Sequence, residues 1–89
     1  MEIKVEEASE DRLAELGVKS WPIWEKEVSE FDWHYDEQEV CYLLKGEVEV
    51  TTAAGNKVEF GAGDLVTFPQ GMDCVWKIKE DVKKHYKLG

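Results

Sequence analysis

Apolar and polar residues alternate along most of this chain, with the two-residue period of β-strands. Glu2–Glu6 places Ile3 and Val5 on one face of a short strand. Phe31, Trp33 and Tyr35 alternate with Asp32, His34 and Asp36, which predicts a half-buried strand with an aromatic face. From Glu39 to Lys45, Val40, Tyr42 and Leu44 stand opposite Cys41 and Leu43. Both faces are rich in apolar residues, so this strand is predicted to be central. Gly46 breaks the run, and Val48 and Val50 then alternate with Glu47, Glu49 and Thr51. Val58 with Phe60, and Leu65, Val66 with Phe68, give two more strands. Val75–Lys79 and Lys84–Leu88 read as two separate closing strands.

One segment has helical character. Ser9 is suited to an N-cap, Glu10 and Asp11 to a first turn, and Leu13 and Leu16 form an apolar stripe. Gly17 can end it in a left-handed conformation. After Trp21-Pro22, an extended lead-in, only strand and turn signals remain. Ala53-Ala54-Gly55-Asn56 is hairpin chemistry, and Gly61, Gly63 with Asp64, then Pro69-Gln70-Gly71, reverse the chain again. Many short strands punctuated in this way predict an all-β sandwich or closed barrel. The expectation is a single domain over residues 1–89, with a strand and short helix in 1–20 and a barrel in 21–89.

A chain of 89 residues has no room for a second core. Size scaling predicts roughly 5,400 Å² of accessible surface after folding, against roughly 15,000 Å² unfolded. Four Trp, three Tyr and three Phe supply the bulk that such a small core needs. The formal charge of −9 repels phosphate backbones and anionic lipid, so nucleic acid and membranes are excluded as expected partners. Lys77, Lys79, Lys83, Lys84 and Lys87 make a basic tail, which reads as a solvated exterior. No apolar run follows Met1. Two cysteines are too few for a disulfide framework, and the expected location is the cytoplasm.

The turn-and-strand grammar resembles that of the cupin superfamily, RmlC-like jelly rolls built on two sequence motifs. Gly63, Pro69 and Gly71 match G-x-x-x-x-x-P-x-G-x-x-H, with Cys74 at the histidine. Glu39 and Gly46 match the end of H-x-H-x-x-x-E-x-x-x-x-x-x-G, with Trp33 and Tyr35 at its two histidines. In full, the first motif begins with a Gly ahead of its histidines and the second ends in an Asn beyond its histidine; Glu27 and Ile78 stand at those places here. The chain also resembles a group of small single-domain cupins that are similar to the cupin domain of (S)-ureidoglycine aminohydrolase. Their "E-x-C-Y" run is matched by Glu39, Cys41 and Tyr42, and their "K-x-Y" run by Lys84 and Tyr86. This resemblance implies a small cupin jelly-roll β-barrel with one short N-terminal helix, in which only Glu39 remains of the usual four metal ligands.

Strand parity puts Glu39 beside Cys41 and Leu43, facing inward. An inward carboxylate is costly unless paired, protonated or bound, so Glu39 is the first candidate for a catalytic or ligand-binding role; pairing with Lys84 or a Tyr hydroxyl is the structural alternative. Trp33, Tyr35, Cys74, Trp76, Lys84 and Tyr86 complete the candidate ligand-binding set, as walls and polar groups of a barrel-mouth pocket. The expected function is binding of a small polar, planar metabolite without a His-based metal centre, and so without a cofactor. The alternative is a metal-dependent enzyme, with His34, Glu39 and Cys74 holding a divalent transition metal. Alternation opposes it: turning His34 inward would bury Asp32 and Asp36 and expose three aromatic rings. A third reading is an oligomerisation module. Cupins often pair at sheet edges, so a homodimer is the expected protein assembly.

Overall fold

Two long strands carry the architecture. The computed structural model describes residues 2–89. Strand β1 covers Lys4–Glu7 and helix α1 Glu10–Leu16, followed by a 3₁₀ turn at Val18–Ser20. Strands β2 (Ile23–Lys26), β3 (Ser29–His34), β4 (Glu39–Thr52), β5 (Lys57–Gly61), β6 (Asp64–Phe68) and β7 (Asp73–Leu88) follow. Every pairing is antiparallel. The first half of β4 lies between β6 and the second half of β7, and this layer extends to β1 and β2. The second half of β4 lies between β5 and the first half of β7, with β3 beyond. Because β4 and β7 run through both layers, the barrel is folded about their midpoints.

Those midpoints correct the expected strand list. Gly46 does not end a strand; it bends one. Its φ is +115°, the ladder to β7 loses its regular register between Leu43 and Val48, and pairing then resumes as far as Thr52. A Cβ at this position would lie 2.8 Å from Val82 Cγ2 and 2.9 Å from the Asp81 carbonyl oxygen, so only glycine allows this close approach. Likewise Val75–Lys79 and Lys84–Leu88 belong to one strand, β7. The slip has a consequence for parity in β4. Glu39, Cys41 and Leu43 are buried before it, and Val48 and Val50 after it, so the inward positions change from odd to even.

Local chemistry explains the remaining elements. The Ser9 side chain accepts from the Arg12 amide, and Gly17 closes α1 with φ +68°. Ile3 packs on the core, while Val5 stays partly exposed at the edge. Between the layers, Tyr35 stacks on Phe68 with ring centroids 4.6 Å apart, and Trp76 meets Phe68 and Phe60, both at 5.6 Å. Val48, Val50, Val66 and Ile78 fill the space around these rings. The accessible surface is 5508 Å², close to the scaling value. Both cysteines are buried and free, and among the described residues no helix is long and apolar enough to cross a membrane.

Candidate functional site

At one end of the barrel the layers leave a cleft of about 250 Å³. Its polar floor is an ion pair. Glu39 opens β4 and Lys84 lies in β7, and the Lys84 ammonium donates to Glu39 Oε2 at 2.7 Å. Both residues are nearly sealed from solvent, at 6% and 5% exposure. Two indoles hold the lysine in place: its Nζ is 4.9 Å from the Trp24 ring and 4.7 Å from the Trp76 ring. These rings meet at 72°, so the ammonium sits in an aromatic corner where desolvation is offset by the carboxylate and two π faces.

The walls are aromatic and aliphatic. Phe31 and Trp33 come from β3, Tyr35 from the segment after it, and Tyr86 and Leu88 from the end of β7. Trp33 and Leu88 are about half exposed, which places them at the rim. The Tyr35 hydroxyl accepts from Trp76 Nε1 at 3.0 Å, which leaves its own O–H as a donor. Burial, reinforced by Glu39, holds that phenol neutral far above its ordinary titration range.

Of the sequence candidates, Trp33, Tyr35, Glu39, Trp76, Lys84 and Tyr86 all line this cleft. Cys74 does not. It lies directly across the ladder from Trp33, and so short a side chain ends in the packed core. Burial pushes its thiol up to about 11, and that of Cys41 up to about 12; neither is a ready nucleophile. Trp24, Phe31 and Leu88 escaped the sequence reading of the site. Phe31 was legible as part of the aromatic alternation, whereas four-residue β2 gave no periodic signal for Trp24.

The alternative metal set does not assemble. His34 is exposed on the outside of β3, with Nδ1 2.7 Å from Asp73 and Nε2 3.5 Å from Asp36. Glu39 lies inside, bound to Lys84. Among the described residues no three His, Cys, Asp or Glu side chains are grouped to hold a metal ion. The chemistry at the family's ligand positions also opposes a metal. Trp33 has no lone pair to offer, Tyr35 and Cys74 are held protonated, and the Lys84 ammonium would repel a cation beside Glu39. The residues present do not fit the metal centre that cupins commonly carry.

A family model described as EutQ-like cupin domain matches residues 13–86. The chain is similar to a DUF861 family protein of Thermotoga maritima, whose crystal structure it matches at 58% identity and TM-score 0.98 over 99% of this chain and 100% of that one. It also resembles a DUF861 family protein of unknown function from Pseudomonas syringae, at 26% identity and TM-score 0.66, over 72% of this chain and 28% of that one. The Clostridium difficile EutQ protein shares the fold, at 23% identity and TM-score 0.66; the match covers 72% of this chain and half of that protein. None of the curated proteins matches the chain.

Proposed function

The chain belongs to the EutQ-like cupin family, and from that premise we propose that it binds a small, uncharged, planar metabolite in its aromatic cleft without a metal centre. The observation that carries this reading is the Glu39–Lys84 pair at the cleft floor. The pair is neutral as a whole, so the site offers no net charge to a charged guest. It offers hydrogen bonds instead: Glu39 Oε1 as acceptor, and the remaining Lys84 N–H groups and the Tyr35 O–H as donors. Flat rings on several sides favour a flat guest. A volume of about 250 Å³ equals the liquid volume of on the order of eight water molecules, so the guest is of metabolite size.

The likeness to the ureidoglycine aminohydrolase cupin domain bears on this site through Glu39, Lys84 and Tyr86, the three matched residues that line the cleft. It supports a small polar guest with hydrogen-bonding edges. It gives no support to metal-assisted hydrolysis, for which the donors are missing.

The test joins elemental analysis to a thermal-shift screen of small metabolites. Protein purified without chelator is expected to carry no stoichiometric transition metal. An uncharged planar metabolite at a hundredfold its Kd is expected to stabilise the fold by about 2.7 kcal/mol, which raises Tm by on the order of 10 °C for a domain of this size. Equimolar, tightly held metal linked to turnover would reject the proposal.

A further inference from the structure

We propose that Lys84 is an amine nucleophile, and that it condenses with the carbonyl carbon of a small uncharged aldehyde or ketone in the cleft while Glu39 handles the proton. The proposal rests on the reading of the cleft as a small-molecule site and adds a reaction to it. Among the described residues Lys84 is the one lysine that is buried; the others are exposed, apart from half-exposed Lys83. Its amine is also the one that reaches the cleft, and a carboxylate stands 2.7 Å away. Surface lysines stay protonated because water stabilises their charge. Here the surface lysine's water shell is replaced by one carboxylate, whose Oε2 lies 2.7 Å from Nζ and is the ready-made acceptor for the proton that the amine must shed before it attacks.

The steps balance without an outside reagent. The Lys84 ammonium gives a proton to Glu39 Oε2, leaving an amine and a carboxylic acid. The nitrogen lone pair forms a C–N bond to the carbonyl carbon, and the C=O π pair moves to oxygen. That oxygen takes the proton released by nitrogen, giving a carbinolamine. Glu39 then returns its proton to the hydroxyl, the C–O bond breaks, and water leaves. The product is an iminium on Lys84 opposite a Glu39 carboxylate, with the charge pattern of the resting pair restored. Trp24 and Trp76, which flank the ammonium at rest, would face the iminium cation in the same way.

The experiment is reductive trapping with cyanoborohydride on the intact protein, using uncharged aldehydes from acetaldehyde to benzaldehyde. Peptide mass mapping compares Lys84 with exposed Lys19. Lys84 is expected to be alkylated about a hundredfold faster than Lys19 by some member of the series, the modest end of what a positioned proton acceptor supplies. Glu39→Gln, checked for folding by near-ultraviolet circular dichroism, is expected to remove that advantage. Tryptophan fluorescence on the same series separates the two ideas. Saturable binding with no preference for Lys84 would overturn the imine and leave the binding cleft standing. Equal labelling of all lysines with no saturable binding would overturn the imine and count against the cleft as well.

Discussion

Strands β4 and β7 bring glutamate and lysine together in two places, to opposite ends. At the cleft, Glu39 and Lys84 meet at 2.7 Å with side chains 8% and 6% exposed. Farther along, Lys79 of β7 lies 3.3 Å from Glu49 of β4 and 3.1 Å from Glu59 of β5, on the outer face, where the three side chains keep 34%, 18% and 63% of their exposure. What separates them is the parity change at Gly46: the odd position that points inward at Glu39 points outward at Glu49. A single bend in β4 therefore decides which glutamate becomes a buried functional group and which a solvated ornament of the surface. Charges in the first place depend on each other, because neither has water to fall back on. Charges in the second do not.

The largest expected effect follows from breaking only one half of the inner pair. Lys84→Met leaves Glu39 buried without a partner and is expected to cost about 3–5 kcal/mol of unfolding free energy. Adding Glu39→Met removes the orphaned charge, and the double variant is expected to return to within about 1–2 kcal/mol of the wild type, or to exceed it. Urea denaturation of the three proteins measures both values. If Lys84→Met alone is nearly neutral, the inner pair is no more interdependent than the outer one and the contrast fails.

This contrast was only partly legible along the chain. Parity alone placed Glu39 beside Cys41 and Leu43, because an alternating run between clear turns leaves one register. The same alternation grouped Trp33 with Tyr35, and turn chemistry located the reversals at Gly55, Gly63 and Gly71, all of which have positive φ. The continuity of β4 and β7 was not legible. A glycine that bends a strand and one that ends it look alike until the partner strand is known, and here the deciding neighbours, Asp81 and Val82, are some 35 residues away in sequence. The outline of the cleft suffered from the same non-locality. Parity gives a side chain's direction but not its reach, so it assigns Cys74 to the cleft although the side chain ends in the core. Trp24 and Leu88 arrive at the cleft through pairings of β2 and β7 that no local pattern encodes.

A smaller effect sharpens the inner half of the comparison through pH. Cys41 lies on the same buried face as Glu39, and burial raises its thiol from 9.0 to about 12. Between those values the folded protein keeps this proton and the unfolded chain loses it. The native state then binds more protons, so stability falls as pH rises, by about 1.4 kcal/mol per pH unit for the one group. Below about pH 9 this contribution is fully present. Urea midpoints at pH 8 and pH 10 are expected to show the loss, and Cys41→Ala to flatten the slope. A wild-type midpoint unchanged over that range would mean that the interior face is wetter than its packing indicates.

The smallest expected effect belongs to the outer pair. The hydrogen bond from Lys79 holds the Glu49 carboxyl below its ordinary range. A lowered carboxyl pKa contributes stability above the unfolded value, and that contribution is lost as pH falls through the folded one. The pair lies on the outer face of the sheet, however, so the contribution is screened. Lys79→Ala is expected to move the urea midpoint less than the alkaline shift does. Whatever change it causes should vanish in 1 M salt, where the screening length is about 3 Å. The Lys84→Met deficit should survive the same salt, because the Glu39 carboxylate is itself nearly sealed from solvent and buried charges are screened far less than exposed ones. Equal salt sensitivity of the two deficits would show that the bend at Gly46 sorts the charges by position without changing what surrounds them.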